Sequence, residues 1–237
     1  MKTTAQTYAR DAYNAIIMSS VNAATRKQVN NLFEEVKKSD KVDEHGNWEF
    51  GSEFDRKGRG YAINYDFYAI GKDYFTKRLM FIVQVRKFER HYKNGFGNVQ
   101  KSYFLCGRNE DNTAFAHPIE SRVIHHAISK GTDIIRAVQN WIFGGDYTKV
   151  VRQGDLCLLP LKKKPGTDNL LGTRLVLQES HELLAIQIVK KDGNIYAENP
   201  ELWHLAGVHP VQYEQGWYKI VVGRRGNYHN FATPTID

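Results

Sequence analysis

Two cysteines in 237 residues leave no room for a disulfide framework, and they do not stand at the spacing of a zinc motif. Cys106 and Cys157 each sit inside an apolar run, so both are expected as buried thiols. No apolar stretch approaches the roughly 20 residues needed to cross a bilayer. The first apolar run, Ile16-Ile17-Met18, is broken at once by Ser19-Ser20, too short for a signal core, so a cytoplasmic location is expected. A Gly-x-x-x-x-Gly-Lys phosphate loop, a His-Glu-x-x-His helix and a Gly-x-Ser-x-Gly elbow are all missing. Their absence argues against most nucleoside triphosphatases, zincin proteases and common serine hydrolases. No internal repeat is visible.

What is present is an ordinary globular composition, 41% hydrophobic and 25% charged, with enough chain for a sizeable core. Lysine and arginine (33) outnumber aspartate and glutamate (26), for a net charge of +7. That sign favours polyanionic partners such as nucleic acid.

Along the chain, residues 3–19 carry apolar positions at helical spacing. A second helix follows, with Val29, Leu32, Phe33 and Val36 on one face, and the two are expected as a hairpin. A polar, glycine-bearing stretch from Ser39 to Gly60 reads as a linker. From Tyr61 the period changes to two, and Leu79–Val85 and Ser102–Cys106 continue a strand meander. Pro118 is expected to open a helix striped by Ile119, Val123, Ala127 and Ile128 and closed by Gly131. Thr132 is expected to cap a second one, stopped at Gly144-Gly145. The last third holds short strands at 156–161, 173–177, 183–189, 195–197 and 218–222. Asp192-Gly193 marks a hairpin among them. The fold class is therefore α+β: an N-terminal helical hairpin, a central antiparallel meander with two helices, and a C-terminal small β barrel. The domains are placed at 1–55, 56–147 and 148–237.

Three histidines, His181, His204 and His209, fall in or beside turns of the expected barrel, where site residues are commonly presented. Neutral imidazole binds a divalent transition metal or moves a proton near pH 7. Three readings stay open: a metal site on all three, with Glu179 or Glu182 completing the shell; a metal-free acid–base pair; or turn histidines whose rings never meet. The order Arg152-Gln153-Gly154-Asp155, apolar strand, Ser180-His181, His204 to His209-Pro210, Gly216-x-Tyr218 resembles an uncharacterised bacterial and phage β-domain family. Those proteins have a Gly-His-x-His element and a late His-x-x-His-x-Pro. Here Leu183 stands where the second central histidine would fall, and four residues rather than two separate the late pair.

Basic segments laced with rings form a second constellation: Arg86, Lys87, Arg90, Tyr92 and Lys93; Lys162, Lys163 and Lys164; Arg224, Arg225 and Tyr228. Cations neutralise phosphates while rings stack on unpaired bases. The expectation is a nucleic-acid-interacting protein, RNA favoured over DNA. Its possible phosphodiesterase activity uses His181, His204 and His209, with Lys219 or Arg152 stabilising the phosphorane charge. The alternatives are a non-enzymatic protein-interaction module of a phage or mobile element, and a cupin-like metal-dependent enzyme.

Overall fold

The computed structural model describes residues 17–38, 60–91, 95–109, 112–153, 156–166, 169–207 and 210–224, with side chains throughout except at 60–63, 87–91 and 95–100. They form two compact units. One takes in the described residues up to Gly107 together with Ala114–Val138; the other is Gln139–Arg224 with Arg108–Thr113.

The first unit is built on a four-stranded sheet ordered β1 (Gly60–Lys72), β2 (Leu79–His91), β3 (Gly95–Arg108), β4 (Ala114–Ile119). Register sorts its side chains. Phe81, Val83 and Val85 share a face with Phe67, Tyr65, Phe104 and Cys106, while Met80, Ile82 and Gln84 share the other with Gly71, Asp66, Leu105 and Tyr103. Helix α1 (Ala23–Lys38) starts where Asn22 Oδ1 accepts from the Thr25 amide at 2.8 Å. It buries the expected stripe of Val29, Leu32, Phe33 and Val36 against the first of these faces. Phe33 drives its edge into three rings at once: Tyr65 at 4.9 Å, Phe67 at 5.5 Å and Phe81 at 5.9 Å between centroids. The helix thus belongs to this sheet rather than to a separate domain. The segment expected to pair with it as a hairpin lies, up to residue 16, outside the described residues.

Helices α2 (Ser121–Lys130) and α3 (Ile134–Phe143) follow, and α2 brings His125 edge-on to Tyr68 and Tyr103 at 6.4 and 6.1 Å. Ile135 lies so close to Gly71 that a Cβ there would meet it at 3.3 Å. Because side chains on both faces are buried, β2 is apolar without alternation from Met80 to Val83, and buried Gln84 then gives its Nε2 to the Tyr68 and Tyr103 hydroxyls. Pro118 does not open α2 as expected: it lies inside β4, an edge strand where a missing amide costs no ladder bond. The buried α2 residues are Ile124 and Ala127, while Ile128 is exposed. Gly131, at φ 62°, ends the helix with paired bonds to Ala127 and Ile128 carbonyls. The cap of α3 is Asp133, not Thr132, since Asp133 Oδ1 accepts from the Arg136 amide at 3.0 Å.

The second unit is a nearly closed, barrel-like antiparallel sheet. Its strands are β5 (Val151–Gln153), β6 (Leu156–Pro160), β7 (Asn169–Leu177), β8 (His181–Lys191), β9 (Asn194–Glu198), β10 (Glu201–His204), β11 (Gln212–Tyr213) and β12 (Trp217–Val222). They follow the order β11-β10-β8-β9-β12-β6-β5, with β7 flanking β8. Leu156, Leu158, Leu183, Ile188, Ala197, Leu202, Tyr218 and Ile220 fill the interior. The path closes through a side chain: Gln153, fully buried on β5, donates Nε2 to the Leu202 carbonyl of β10 at 3.3 Å and to the Pro210 carbonyl at 2.6 Å. Asp192 and Gly193, at φ 48° and 75°, make the expected β8–β9 hairpin. Both cysteines are free and buried. Strands dominate both units, so the α+β reading holds in its coarse form: a mostly β chain with a meander and a barrel-like sheet.

Candidate functional site

His181 opens β8 and His204 closes β10, and the antiparallel register sets them directly opposite each other. Two residues further in, Leu183 faces Leu202, and both belong to the interior. Because side chains two apart on a strand share a face, both imidazoles stand on the interior side at the rim of the barrel. The rings meet edge to face, with centroids 4.7 Å apart and planes at 76°. His181 is buried, at 5% exposure, and His204 is half-buried.

Each ring has a fixed partner. Ser180 Oγ lies 2.9 Å from His181 Nδ1. The Ala206 amide donates to His204 Nδ1 at 3.1 Å, so in the neutral ring the His204 proton sits on Nε2. The two strands are also tied by the Leu205 amide, which donates to the Ser180 carbonyl at 2.9 Å. The turn delivering Ser180 and His181 is strained: Gln178 and Glu179 both adopt positive φ, 50° and 56°, without being glycine. Each such residue costs about 1–3 kcal/mol, and strain of this kind gathers at functional positions.

Of the other expected residues, the described ones do not join the pair. His209 lies outside the described residues, and among those described no group of three or more His, Cys, Asp or Glu side chains is placed to hold a metal ion. Glu182 alternates with His181, so it points to the outer face, where it pairs with Arg174 Nε. Glu179 is exposed in the turn. Lys219 lies between Tyr218 and Ile220, both interior, and Arg152 stands across from Cys157 on the face away from Leu156 and Leu158. Neither cation shares a face with the imidazoles, because a residue that alternates with core positions must face outward.

Among the basic segments, Arg86 is turned inward. Its guanidinium meets Asp66 at 2.5 Å, with the two side chains 14% and 5% exposed, so that charge is spent inside the first unit. The side chains of Lys87 and Arg90, and residues Tyr92, Lys93, Arg225 and Tyr228, lie outside what is described. Arg224 is exposed with its guanidinium over Gly144. Lys162, Lys163 and Lys164 are exposed, and Lys164 Nζ stands 5.3 Å over the Trp217 ring.

Comparison with protein-family models, with curated proteins and with solved structures gives no match for this chain. The residues of the site therefore carry the functional reading alone. Reading the sequence missed Ser180 as the partner of His181, and also missed β10, a four-residue strand in which adjacent Leu202 and Trp203 break any alternation.

Proposed function

We propose that the protein interacts with nucleic acid, RNA in preference to DNA, and that the His181–His204 pair is its centre for acid–base chemistry on a phosphodiester. The observation that supports this is the meeting of two imidazoles from separate strands at 4.7 Å, one buried and one half-buried.

One neutral and one charged imidazole are what ribonucleotide cleavage asks for. The neutral ring takes the 2′-hydroxyl proton as that oxygen attacks phosphorus. The charged ring gives its proton to the departing 5′-oxygen, leaving a 2′,3′-cyclic phosphate. Ser180 orients His181 in this scheme, while the Ala206 amide, which holds His204 Nδ1 as an acceptor, must be released before that ring takes up or gives a proton. Lys219 and Arg152 take no part, since they face outward.

The test is cleavage of an end-labelled single-stranded RNA beside its 2′-deoxy counterpart, each with and without a chelator. The reading expects RNA cleavage to a cyclic phosphate, intact DNA, and indifference to chelation. Cleavage of both polymers that the chelator abolishes would replace the acid–base pair with a metal centre. No cleavage at all, with a stable protein complex in pull-downs, would favour a protein-interaction module.

A further inference from the structure

Lys219, which alternation removes from the histidine pair, belongs to another surface. On β12 it stands across from Tyr196 of β9, and Tyr196 stands across from Val189 of β8. Trp217 is two residues before Lys219, and Lys191 two residues after Val189, so all four point to one outer face of the barrel. The turn after β6 adds to this face. Lys164 sets its ammonium over the Trp217 ring, and Lys191 Nζ lies close enough to Gly166 that a Cβ there would meet it at 2.7 Å. Lysines from three separate stretches of sequence thus share this face with two half-buried rings, Lys164 over one of them, and exposed Lys162 and Lys163 precede Lys164 in its turn. Among the described residues, the carboxylates on these strands are Glu198, opposite Trp217 and held by Gln187 Nε2 at 2.6 Å, and Asp192 of the β8–β9 turn.

We infer that this face, Lys164, Lys191 and Lys219 around Trp217 and Tyr196, is a docking surface for single-stranded nucleic acid. It rests on the nucleic-acid reading above but not on the histidine chemistry. Cations interleaved with rings suit an unpaired strand: phosphates meet the lysines, and a base stacks on the indole in place of Lys164, whose ammonium is released to a phosphate. A duplex keeps its bases stacked inside and offers nothing to Trp217. The surface lies on the opposite face of the sheet from the imidazoles, and Lys191 ends the strand that His181 begins. Docking therefore holds a polymer at a distance from the pair, and short substrates gain nothing from it.

The test is fluorescence anisotropy of a labelled oligo(dT) of about 15 nucleotides, within the span such surfaces cover. Its deoxyribose denies the proposed cleavage a nucleophile, so binding is read apart from chemistry. The combined K164E, K191E and K219E variant is expected to weaken binding at least 10-fold and to flatten the slope of log affinity against log salt by about 2, at roughly 0.7 per lost phosphate contact. Tryptophan fluorescence should be quenched on binding to the wild type, and less so in W217F. A triple variant with normal melting and unchanged affinity and slope would overturn the docking face while leaving nucleic-acid binding in place. Failure of the wild-type protein to bind either oligo(dT) or a 2′-O-methyl oligo(U) of the same length, which also lacks the nucleophile, would overturn both.

Discussion

The Tyr218 hydroxyl donates to Glu214 Oε2 at 2.6 Å, and Lys149 Nζ meets the same oxygen at 2.7 Å. Burial raises Tyr218 above its ordinary value, and the Glu214 hydrogen bond and charge raise it further. Lys149 is also raised, chiefly by its hydrogen bond to Glu214, against a lowering by desolvation. Groups held above their unfolded values contribute stability that is complete below those values, 10.0 and 10.5, and is lost as pH climbs through the folded ones. The melting temperature is therefore expected to fall steeply above pH 10, and less steeply in Y218F and E214Q. Equal slopes in all three proteins would contradict the assignment.

Strain at Gln178 and Glu179 predicts a gain on relaxing it. Replacing the two by Asn-Gly, which adopts positive φ readily, should stabilise the protein by about 1–2 kcal/mol. That is a rise of a few degrees in thermal melting. A lower melting temperature would show that the native turn is held by contacts the replacement breaks.

Gln153 joins β5 to the opposite end of the strand path, so Q153L should cost about 1–3 kcal/mol by taking a buried donor from the Leu202 carbonyl and leaving Pro210 only Gln212 Nε2 at 3.2 Å. Hydrogen exchange should rise at β10 and β11 more than at β9 and β12. Uniform exchange across the unit would remove its role as the closing tie.

Arg86 was expected on a phosphate-binding surface, but the structure commits it to Asp66. D66A should therefore destabilise by about 3–5 kcal/mol, as breaking one side of a buried pair does. The charge-swapped double variant D66R/R86D should recover part of this. Oligonucleotide affinity, measured well below the melting transition, should be the same in the double variant as in the wild type. A marked loss there would return Arg86 to the binding surface.

How far the sequence could be read depended on local periodicity. The face Val29, Leu32, Phe33, Val36 repeats at helical spacing and is the buried face of α1, and Asp192-Gly193 fixes a hairpin by its backbone preference alone. Pro118 misled because a proline suits a helix start and an edge strand equally, and only the ladder decides between them. The histidine pair was half legible. Residue type marked His181 and His204, but their meeting depends on the register of β8 against β10, which no local pattern encodes. Lys219 and Arg86 failed for the opposite reason: their charge was visible, and the face or partner consuming it was not. Lys191 and Trp217 were overlooked because their lysine neighbours come from another turn.

The most direct measurement of the central claim is the RNA cleavage rate against pH for the wild type, H181Q and H204Q, with folding checked by melting. Two imidazoles acting as base and acid should give the wild type a bell-shaped profile. Each substitution should lower the rate about 100-fold or more and remove one limb of that bell. Wild-type rates and an unaltered profile in folded H181Q or H204Q would contradict the account.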